Sequence, residues 1–240
     1  DTIFLAIESG SERVLKDIIK KPISFSKIFP TVKSLQDNGI FTSGFFVWGL
    51  PGETKEDREL TKKLIFESGL DWSFFNYASP LRGSELYKES IKNNWIPEKY
   101  KKLGAIDMTS YILEAGIDKE ELEKDMLVAN LDLNFVNNRS FRVGNYDTSI
   151  KSFLEVVNRH FNQPFAHFCL ARSYYYKNDG SSDKVQTYLK NFIRIIKSTN
   201  SWKEYLYLLE NDKFYKKFVQ SKINDEKILD LEQQNQLAMV

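Results

Sequence analysis

Cysteine and histidine are scarce in this 240-residue chain, which contains one Cys and two His. A single thiol, Cys169, excludes an internal disulfide, and one Cys with two His is too few for a four-ligand zinc site. Cys169 lies in an apolar helical stretch and is predicted to be a buried core residue. His160 and His167 would share a helix face only if one helix continued through Pro164, which proline disfavours. We therefore expect no metal site in this chain alone.

The chain also lacks an excess of one charge and any long apolar run. Its 34 basic and 33 acidic residues give a net charge of +1, so no strong field favours nucleic acid or a membrane surface. No apolar run reaches the roughly 18 residues that a membrane span needs, and no signal-type segment opens the chain. We expect a cytoplasmic protein without nucleic-acid or membrane partners. Its 42% hydrophobic content is enough to fill globular cores.

Short β-rich runs alternate with amphipathic helical stretches over about the first hundred residues. The runs 3–7, 40–48 and 71–77 are predicted strands, and this order predicts a parallel sheet of βαβαβ type. The first run is wholly apolar, which is typical of a strand covered on both faces. Asn38-Gly39 is a predicted left-handed helix end, and Thr54 with Asp57 a predicted helix start.

The strand signal fades after about residue 95, and residues 97–129 read as charged helices and loops. From about residue 130 a weak internal repeat begins, in which Gly144 and Tyr146 recur as Asn178 and Gly180. The period is close to the 34 residues of tetratricopeptide repeats. We therefore predict three parts: an α/β domain at 1–96, a helical linker at 97–129 and a helical-hairpin domain at 130–240.

Three polar loops follow the predicted strands, at residues 8–11, 49–54 and 79–84. The carboxyl ends of parallel strands lie at one edge of a sheet, and α/β folds bind ligands there. The loops belong to the segments IESGSERVLKDIIKK, GFFVWGLPGETKED and ASPLRGSELY. Together, in this order and spacing, the segments resemble elements of the radical S-adenosylmethionine superfamily, with the cobalamin-binding-domain subgroup nearest. The resemblance covers about residues 3–90.

The resemblance implies a fold: the closing strands of a partial (β/α) barrel, here followed by the tetratricopeptide-like helical domain. It also implies the contacts of bound S-adenosylmethionine. Glu8 and Ser9 would reach its ribose or its amino-acid part, and Lys20 would meet its carboxylate. The adenine would be lined by Val47, Gly49 and Leu50. Gly49 and Gly52 are interpreted as allowing close approach to the ligand, and Glu53 as a helix cap.

The superfamily's defining motif, C-x-x-x-C-x-x-C, is absent from this chain. Its three thiolates hold a four-iron four-sulfur cluster, which reduces S-adenosylmethionine to a 5′-deoxyadenosyl radical. The resemblance therefore implies a fragment whose full-length parent uses both cofactors, and this chain alone is expected to hold neither and to carry no catalytic residue. The first barrel strands are expected before Asp1 and would be its partner. Cobalamin use and the substrate are left open.

Simpler interpretations stay open beside this one. Ser9 and Glu12 match a plain S-x-x-E capping box, and Lys20 with Lys21 suits a solvated helix end. The whole chain could also be a degenerate barrel scaffold whose helical repeats bind a protein or peptide. An unrelated barrel enzyme would need a polar catalytic set at the same loops, and none is evident. Upstream sequence would separate a fragment from a scaffold.

Overall fold

The computed structural model describes residues 1–21, 23–97, 100, 112–177 and 183–224. The chain divides into two compact units, Asp1–Arg139 and Ser140–Val240. The helix Lys119–Asn130, predicted as part of a linker, buries Leu122 and Ala129 in the core of the first unit. Most of the remaining linker, at 98–99 and 101–111, lies outside the described residues.

The first unit is built on a three-stranded parallel sheet. Its strands are β1 (Thr2–Glu8), β2 (Phe41–Trp48) and β3 (Trp72–Tyr77), and they lie side by side in that order. Parallel neighbours need a crossover connection, and a helix supplies each one, as the alternating pattern predicts. The three predicted strands are thus confirmed, and the closure of this sheet into a barrel stays a prediction.

The described helices are numbered in chain order. Those of the first unit are a π-helical turn α1 (Val14–Ile18), α2 (Phe25–Asp37), α3 (Lys55–Ser68), α4 (Glu85–Lys92), α5 (Lys119–Asn130) and a π-helical segment α6 (Leu131–Val136). The short helix α7 (Arg139–Arg142) lies at the unit boundary. The second unit contains α8 (Tyr146–Arg159), α9 (Pro164–Lys177), α10 (Asp183–Ser198), the 3₁₀ helix α11 (Asn200–Leu209), α12 (Lys213–Phe218) and α13 (Gln220–Asn224).

The two faces of the sheet have different surroundings. Ile7, Phe46 and Trp48 point to one face and form a core with residues of α2 and α3. The opposite face carries Phe4 and Phe74, which stay 55% and 38% exposed and stack with Phe45 between them. The described residues therefore cover one face of β1, whereas its apolar sequence predicted cover on both.

Two of the predicted helix-capping signals are confirmed. Gly39 adopts φ +72°, as a left-handed helix end requires. Thr54 accepts a hydrogen bond from the Asp57 amide, and the Asp57 carboxylate accepts one from the Thr54 amide, which completes a capping box at the start of α3. These signals are local, so short stretches of sequence determine them.

In the second unit, α9 packs against both α8 and α10. Cys169 is buried in α9 as predicted, and burial raises the pKa of its thiol to about 12. His160 ends α8 and His167 lies within α9, so a separate helix holds each. Assignment to tetratricopeptide repeats stays a prediction, since Asn178 and Gly180 lie outside the described residues. No helix in the described ranges has both the length and the apolar character that crossing a membrane requires.

Candidate functional site

A cleft of about 660 Å³ opens at the carboxyl ends of the three strands. It lies on the sheet edge that the three polar loops were predicted to share. The cleft wall is largely apolar and includes Phe45, Val47, Leu50, Ala78, Leu81 and Leu86. Glu8 and Asn76 add polar side chains to this wall. Of the six predicted ligand contacts, the cleft brings together Glu8, Val47 and Leu50.

Glu8 ends β1 in an unusual backbone conformation. Its φ is +71°, which is rare for a residue with a side chain, and the strand register shifts between Ala6 and Glu8. Lys21 donates a hydrogen bond to Oε1 of Glu8 at 2.9 Å and another to the Ala6 carbonyl at 2.9 Å. The bulge and the lysine together fix the carboxylate at the rim of the cleft.

Ser9 lies away from the cleft and is fully buried. Its hydroxyl is 3.3 Å from that of Thr61 and accepts a hydrogen bond from the Ser11 amide at 3.1 Å. This placement argues against ligand contact by Ser9. The alternative capping box with Glu12 is also wrong, because Ser11 supplies the hydroxyl that accepts from the Val14 amide.

Lys20 is likewise not among the residues that line the cleft. Its ammonium pairs with Glu85 of α4 at 2.5 Å, and both side chains are more than half exposed. The cation beside the cleft is its neighbour Lys21, held by Glu8. The sequence could not separate the two lysines, because the left-handed conformation of Lys20, φ +59°, decides which one turns toward β1.

Gly49 is needed for backbone conformation and helix packing. Its φ is +79°, and a Cβ placed there would come within 2.8 Å of Leu122 on α5. Gly52 also has a positive φ, +81°, and its added Cβ would lie 3.9 Å from Ile18. Close approach to a ligand was the predicted reason for these glycines. The structure adds left-handed backbone at both positions and, at Gly49, proximity to α5, and close approach to a ligand stays a prediction.

Glu53 bends back onto the turn instead of capping a helix. Its Oε2 accepts a hydrogen bond from the Gly49 amide at 2.6 Å, while Oε1 is buried and has no hydrogen-bond partner among the described residues. Burial raises the pKa of Glu53 to about 7, against the opposing effect of the Gly49 N–H. The cap of α3 is formed by Thr54 and Asp57, so the interpretation of Glu53 as the cap is wrong.

Asp57 joins the turn after β1 to the start of α3. Ser11 donates to its Oδ1 at 2.6 Å, Arg13 forms an ion pair with Oδ2, and the Thr54 amide donates at 2.9 Å. Burial alone would raise the pKa of Asp57, but the hydrogen bonds from Arg13, Ser11 and Thr54 prevail and lower it to about 2. The carboxylate is therefore structural and is fully committed to protein donors.

Sequence reasoning missed Asn76, which the structure places in the cleft. Asn76 pairs in register with Val47, and its side chain has no hydrogen-bond partner among the described residues. The missed signal was alternation: Phe74 and Asn76 lie on the exposed face of β3, opposite to Ser73. A polar residue at the carboxyl end of such a face is a candidate ligand contact.

The side chains that line the cleft suit a ligand that has an apolar ring face and a polar chain, as S-adenosylmethionine has. Val47 and Leu50 offer apolar surface, while Glu8 and Asn76 offer an acceptor and an amide. An iron-sulfur cluster does not fit this chain alone, because Cys169 is its only thiol and is buried. Within the described ranges, no three His, Cys, Asp or Glu side chains form a metal-binding group.

No family model matches the chain. It is 30% identical over 146 residues to cytidylyl-2-hydroxyethylphosphonate methyltransferase of Streptomyces wedmorensis, covering 58% of this chain and 27% of that protein. A protein of Methanocaldococcus jannaschii named as a methylthiotransferase is 34% identical over 110 residues, 42% of this chain and 24% of its own length. The tRNA-2-methylthio-N(6)-dimethylallyladenosine synthase of Akkermansia muciniphila is 29% identical over 120 residues, 49% of this chain and 25% of its own length.

These similarities support a relationship to the radical S-adenosylmethionine superfamily. The chain matches about a quarter of the length of each of these relatives.

Proposed function

We propose that this chain is the C-terminal part of a radical S-adenosylmethionine iron-sulfur enzyme and forms one wall of its S-adenosylmethionine site. One observation carries the proposal: the segments that resemble the superfamily come together around a single cleft. Glu8 comes from the first segment, Val47 and Leu50 from the second, and Leu81 and Leu86 from the third. If the three segments resembled the superfamily by coincidence, they would not be required to line the same cleft.

Each cleft residue has a definite task in this proposal. The Glu8 carboxylate, held by Lys21, accepts hydrogen bonds from ribose hydroxyls or from the ammonium of the bound molecule. Val47 and Leu50 pack against the adenine ring and exclude water from it. Asn76 offers an amide to whichever polar group lies between the strands. When bound, S-adenosylmethionine and the cluster supply the radical chemistry, and the cluster thiolates must come from outside this chain.

The exposed sheet face favours additional chain beside β1. Phe4, Phe45 and Phe74 present stacked aromatic rings, and β1 has no strand neighbour other than β2 among the described residues. Parallel sheets are ordinarily covered on both faces, and an open apolar strand edge invites pairing. The missing barrel strands would satisfy both needs. The proposed reaction class is methyl or methylthio transfer, as in the names of the relatives, and cobalamin use stays open.

The test begins with the gene. Reading its frame upstream of Asp1 should reveal C-x-x-x-C-x-x-C after a predicted strand. The longer protein, reconstituted with iron and sulfide and reduced, should release 5′-deoxyadenosine from S-adenosylmethionine. Glu8→Gln should raise the KM for S-adenosylmethionine about tenfold, since one charge-assisted hydrogen bond is lost. Glu12→Gln, an exposed neighbour, should leave the KM unchanged. An upstream region without the cysteine motif would contradict the proposal.

The second candidate function is a scaffold whose helical unit binds a peptide. Aromatic side chains favour it: Tyr176 is 39% exposed and contacts Phe141 and Tyr146, with Val143 exposed nearby in sequence. If the extended protein lacks both the cysteine motif and 5′-deoxyadenosine release, this function becomes the better one. Peptide capture lost in Tyr176→Ala, with unchanged circular dichroism, would then support it.

A further inference from the structure

Helix α10 of the second unit carries a row of positively charged side chains. Lys190, Arg194 and Lys197 follow one another at intervals of four and three residues, which places them on one face of the helix. Phe192 and Ile196 lie on the other side and are buried. Lys190 and Arg194 are exposed, and Lys197 is half-buried. The row therefore belongs to the solvent-facing side of α10.

The charge of this row is not balanced locally. The acidic residue of α10 is Asp183, its first residue, about 10 Å along the helix axis from Lys190. Neither Lys190 nor Arg194 forms an ion pair with a carboxylate of the described residues. On the following helix, α11, Lys203 and Glu204 offset each other. The balanced charge of the whole chain, which predicted no nucleic-acid partner, therefore does not extend to this face.

An exposed aromatic ring lies beside the row. Phe161, in the connection between α8 and α9, is 50% exposed, and the Arg194 guanidinium lies 5.7 Å from its ring centroid. The His167 ring meets that of Phe161 edge to face at 5.0 Å, and its Nε2 donates to the Phe161 carbonyl at 2.7 Å. Burial lowers the pKa of His167, so the imidazole adds no charge to the face at neutral pH. Phe161 is thus held in place without a ligand.

The dimensions of this surface suit a single strand of nucleic acid. At 1.5 Å per residue the three cations span about 10 Å, and one strand carries a phosphate about every 3.4 Å, so the row can meet about three phosphates. An aromatic ring next to a cation offers a face on which a base can stack. A duplex hides the faces of its bases, and an acidic peptide or a lipid surface has no base to stack. Only a single strand would use both the cations and the ring.

We propose that α10 and Phe161 form a binding surface for single-stranded nucleic acid. Lys190, Arg194 and Lys197 contact the phosphates, and Phe161 stacks with a base. Contacts of this kind do not read the base edges, so binding has little sequence preference. The surface lies within the second unit and involves no S-adenosylmethionine, so the inference goes beyond the proposed function and does not depend on it.

The test measures fluorescence anisotropy of a labelled oligouridylate of about 12 nucleotides mixed with the full chain. At about 50 mM salt the Kd should be on the order of 10 μM, and the logarithm of affinity should fall against the logarithm of salt concentration with a slope of about −2, as three phosphate contacts require. Lys190→Gln and Arg194→Gln should each weaken binding about fourfold and reduce the slope by about 0.7.

The aromatic contact has a different signature. Phe161→Ala should weaken binding about tenfold and leave the salt slope unchanged, because stacking releases no counterions. If Phe161→Ala does not fold, Phe161→Leu keeps the apolar bulk without the ring and should also lose affinity. Lys177→Gln is the matched control: Lys177 ends α9, about 20 Å along that helix from Pro164, and pairs with Asp147. It should change neither affinity nor slope.

Two results would overturn the inference. The first is an oligonucleotide Kd weaker than about 1 mM at low salt, or an equal loss of affinity in Lys177→Gln and Lys190→Gln. The second is competition by polyglutamate or by phosphatidylserine vesicles as strong as that by unlabelled oligonucleotide, with no effect of the Phe161 variants, which would indicate a general anion surface. Reduced slopes in the α10 variants together with lost affinity in the Phe161 variants support it. The proposed function is tested by other readouts and stands or falls separately.

Discussion

The turn after β1 and the turn after β2 each join a strand to a helix, but they use their polar groups differently. In the first turn, Ser9 and Ser11 hydrogen-bond to Thr61 and Asp57 of α3, so their hydroxyls hold the turn against that helix. In the second, the Glu53 carboxyl lies buried, and one of its oxygens has no hydrogen-bond partner in the part of the chain that the structure describes. The first turn is held by side-chain contacts to α3, whereas the second is held by the Glu53 carboxylate within the turn together with Arg13, which donates to the Gly52 carbonyl at 2.9 Å.

This difference separates stability from ligand binding. Polar groups whose hydrogen bonds are all made within the protein stabilise the fold and have few donors or acceptors left to bind a ligand. A buried polar group that lacks a partner is instead a candidate for a functional role. In the first turn only Glu8 stays at the cleft. The E-S-G-S segment, residues 8–11, therefore serves mainly to pack the turn against α3, which can be tested by mutation.

Removing the Asp57 carboxylate should give the largest effect. Asp57→Ala removes the hydrogen-bond acceptor of Ser11, the ion-pair partner of Arg13 and the carboxylate that accepts the Thr54 amide in the capping box. We expect a loss of about 3 kcal/mol in the free energy of unfolding, typical of breaking a buried charged network. Urea unfolding monitored by circular dichroism measures this loss.

The control for this experiment is Asp37→Ala. Asp37 forms an exposed ion pair with Lys33 one helical turn away, and such pairs contribute at most about 0.5 kcal/mol. Equal losses in the two variants would show that the network around Asp57 is not what holds the first turn.

The pH dependence of stability should differ in sign between the two turns. Glu53 has a pKa of about 7, above its ordinary 4.5, so the folded state holds more protons and stability falls as pH rises from about 4.5 to 7. Asp57 has a pKa of about 2, below its ordinary 3.8, so its contribution is full above about pH 4 and is lost as pH falls toward 2.

Chemical denaturation across this pH range tests both signs. Glu53→Gln should remove a decline of up to roughly 3 kcal/mol between about pH 5 and about pH 8. Asp57→Asn should remove the loss of stability that Asp57 causes at acidic pH and leave the decline near neutral pH in place. A wild-type profile that is flat between pH 5 and 8, identical to that of Glu53→Gln, would mean that Glu53 is not buried as described.

A methyl group added to Gly10 should destabilise the first turn more than one added to Gly39. At Gly10 the new Cβ would lie 2.5 Å from the Thr61 Cα and 2.6 Å from the Leu60 carbonyl oxygen, both backbone atoms that cannot rotate away. We expect Gly10→Ala to cost about 2 kcal/mol. Gly39→Ala meets nothing within 4 Å and should cost about 1 kcal/mol from its positive φ alone. Thermal unfolding ranks the two, and a reversed order would contradict the packing explanation.

The sequence predicted those features that depend on neighbours along the chain. The three strands, the left-handed Gly39 and the capping box of Thr54 with Asp57 all follow from local patterns. The burial of Cys169 in its helix follows in the same way. For the site, the shared edge of the sheet was predictable from strand polarity alone. Glu8 lies at that edge, and its contact with S-adenosylmethionine stays a prediction.

The remaining site features depend on contacts between distant parts of the chain. Ser9 was assigned to a ligand from the resemblance, and its contact with Thr61, 52 residues away, could not be seen in the local sequence. The proximity of Gly49 to Leu122 of α5 could not be predicted, because the two residues lie far apart in the sequence. Glu53 was interpreted as a helix cap because it lies just before the helix. In the structure the carboxylate that accepts the Thr54 amide is that of Asp57, which also accepts a hydrogen bond from Ser11.

The two adjacent lysines allow the smallest and most specific test. Lys20 and Glu85 form a pair with both side chains more than half exposed, so Lys20→Ala should leave the midpoint of urea unfolding nearly unchanged. Lys21 contacts Glu8, whose side chain is largely shielded, and Lys21→Ala should weaken binding of 5′-deoxyadenosine about threefold by freeing that carboxylate. Calorimetric titration of both variants compares them directly. If Lys20→Ala weakened binding and Lys21→Ala did not, the ligand would reach past Glu8 toward α4, and the boundary of the cleft would have to be redrawn to include that exposed pair.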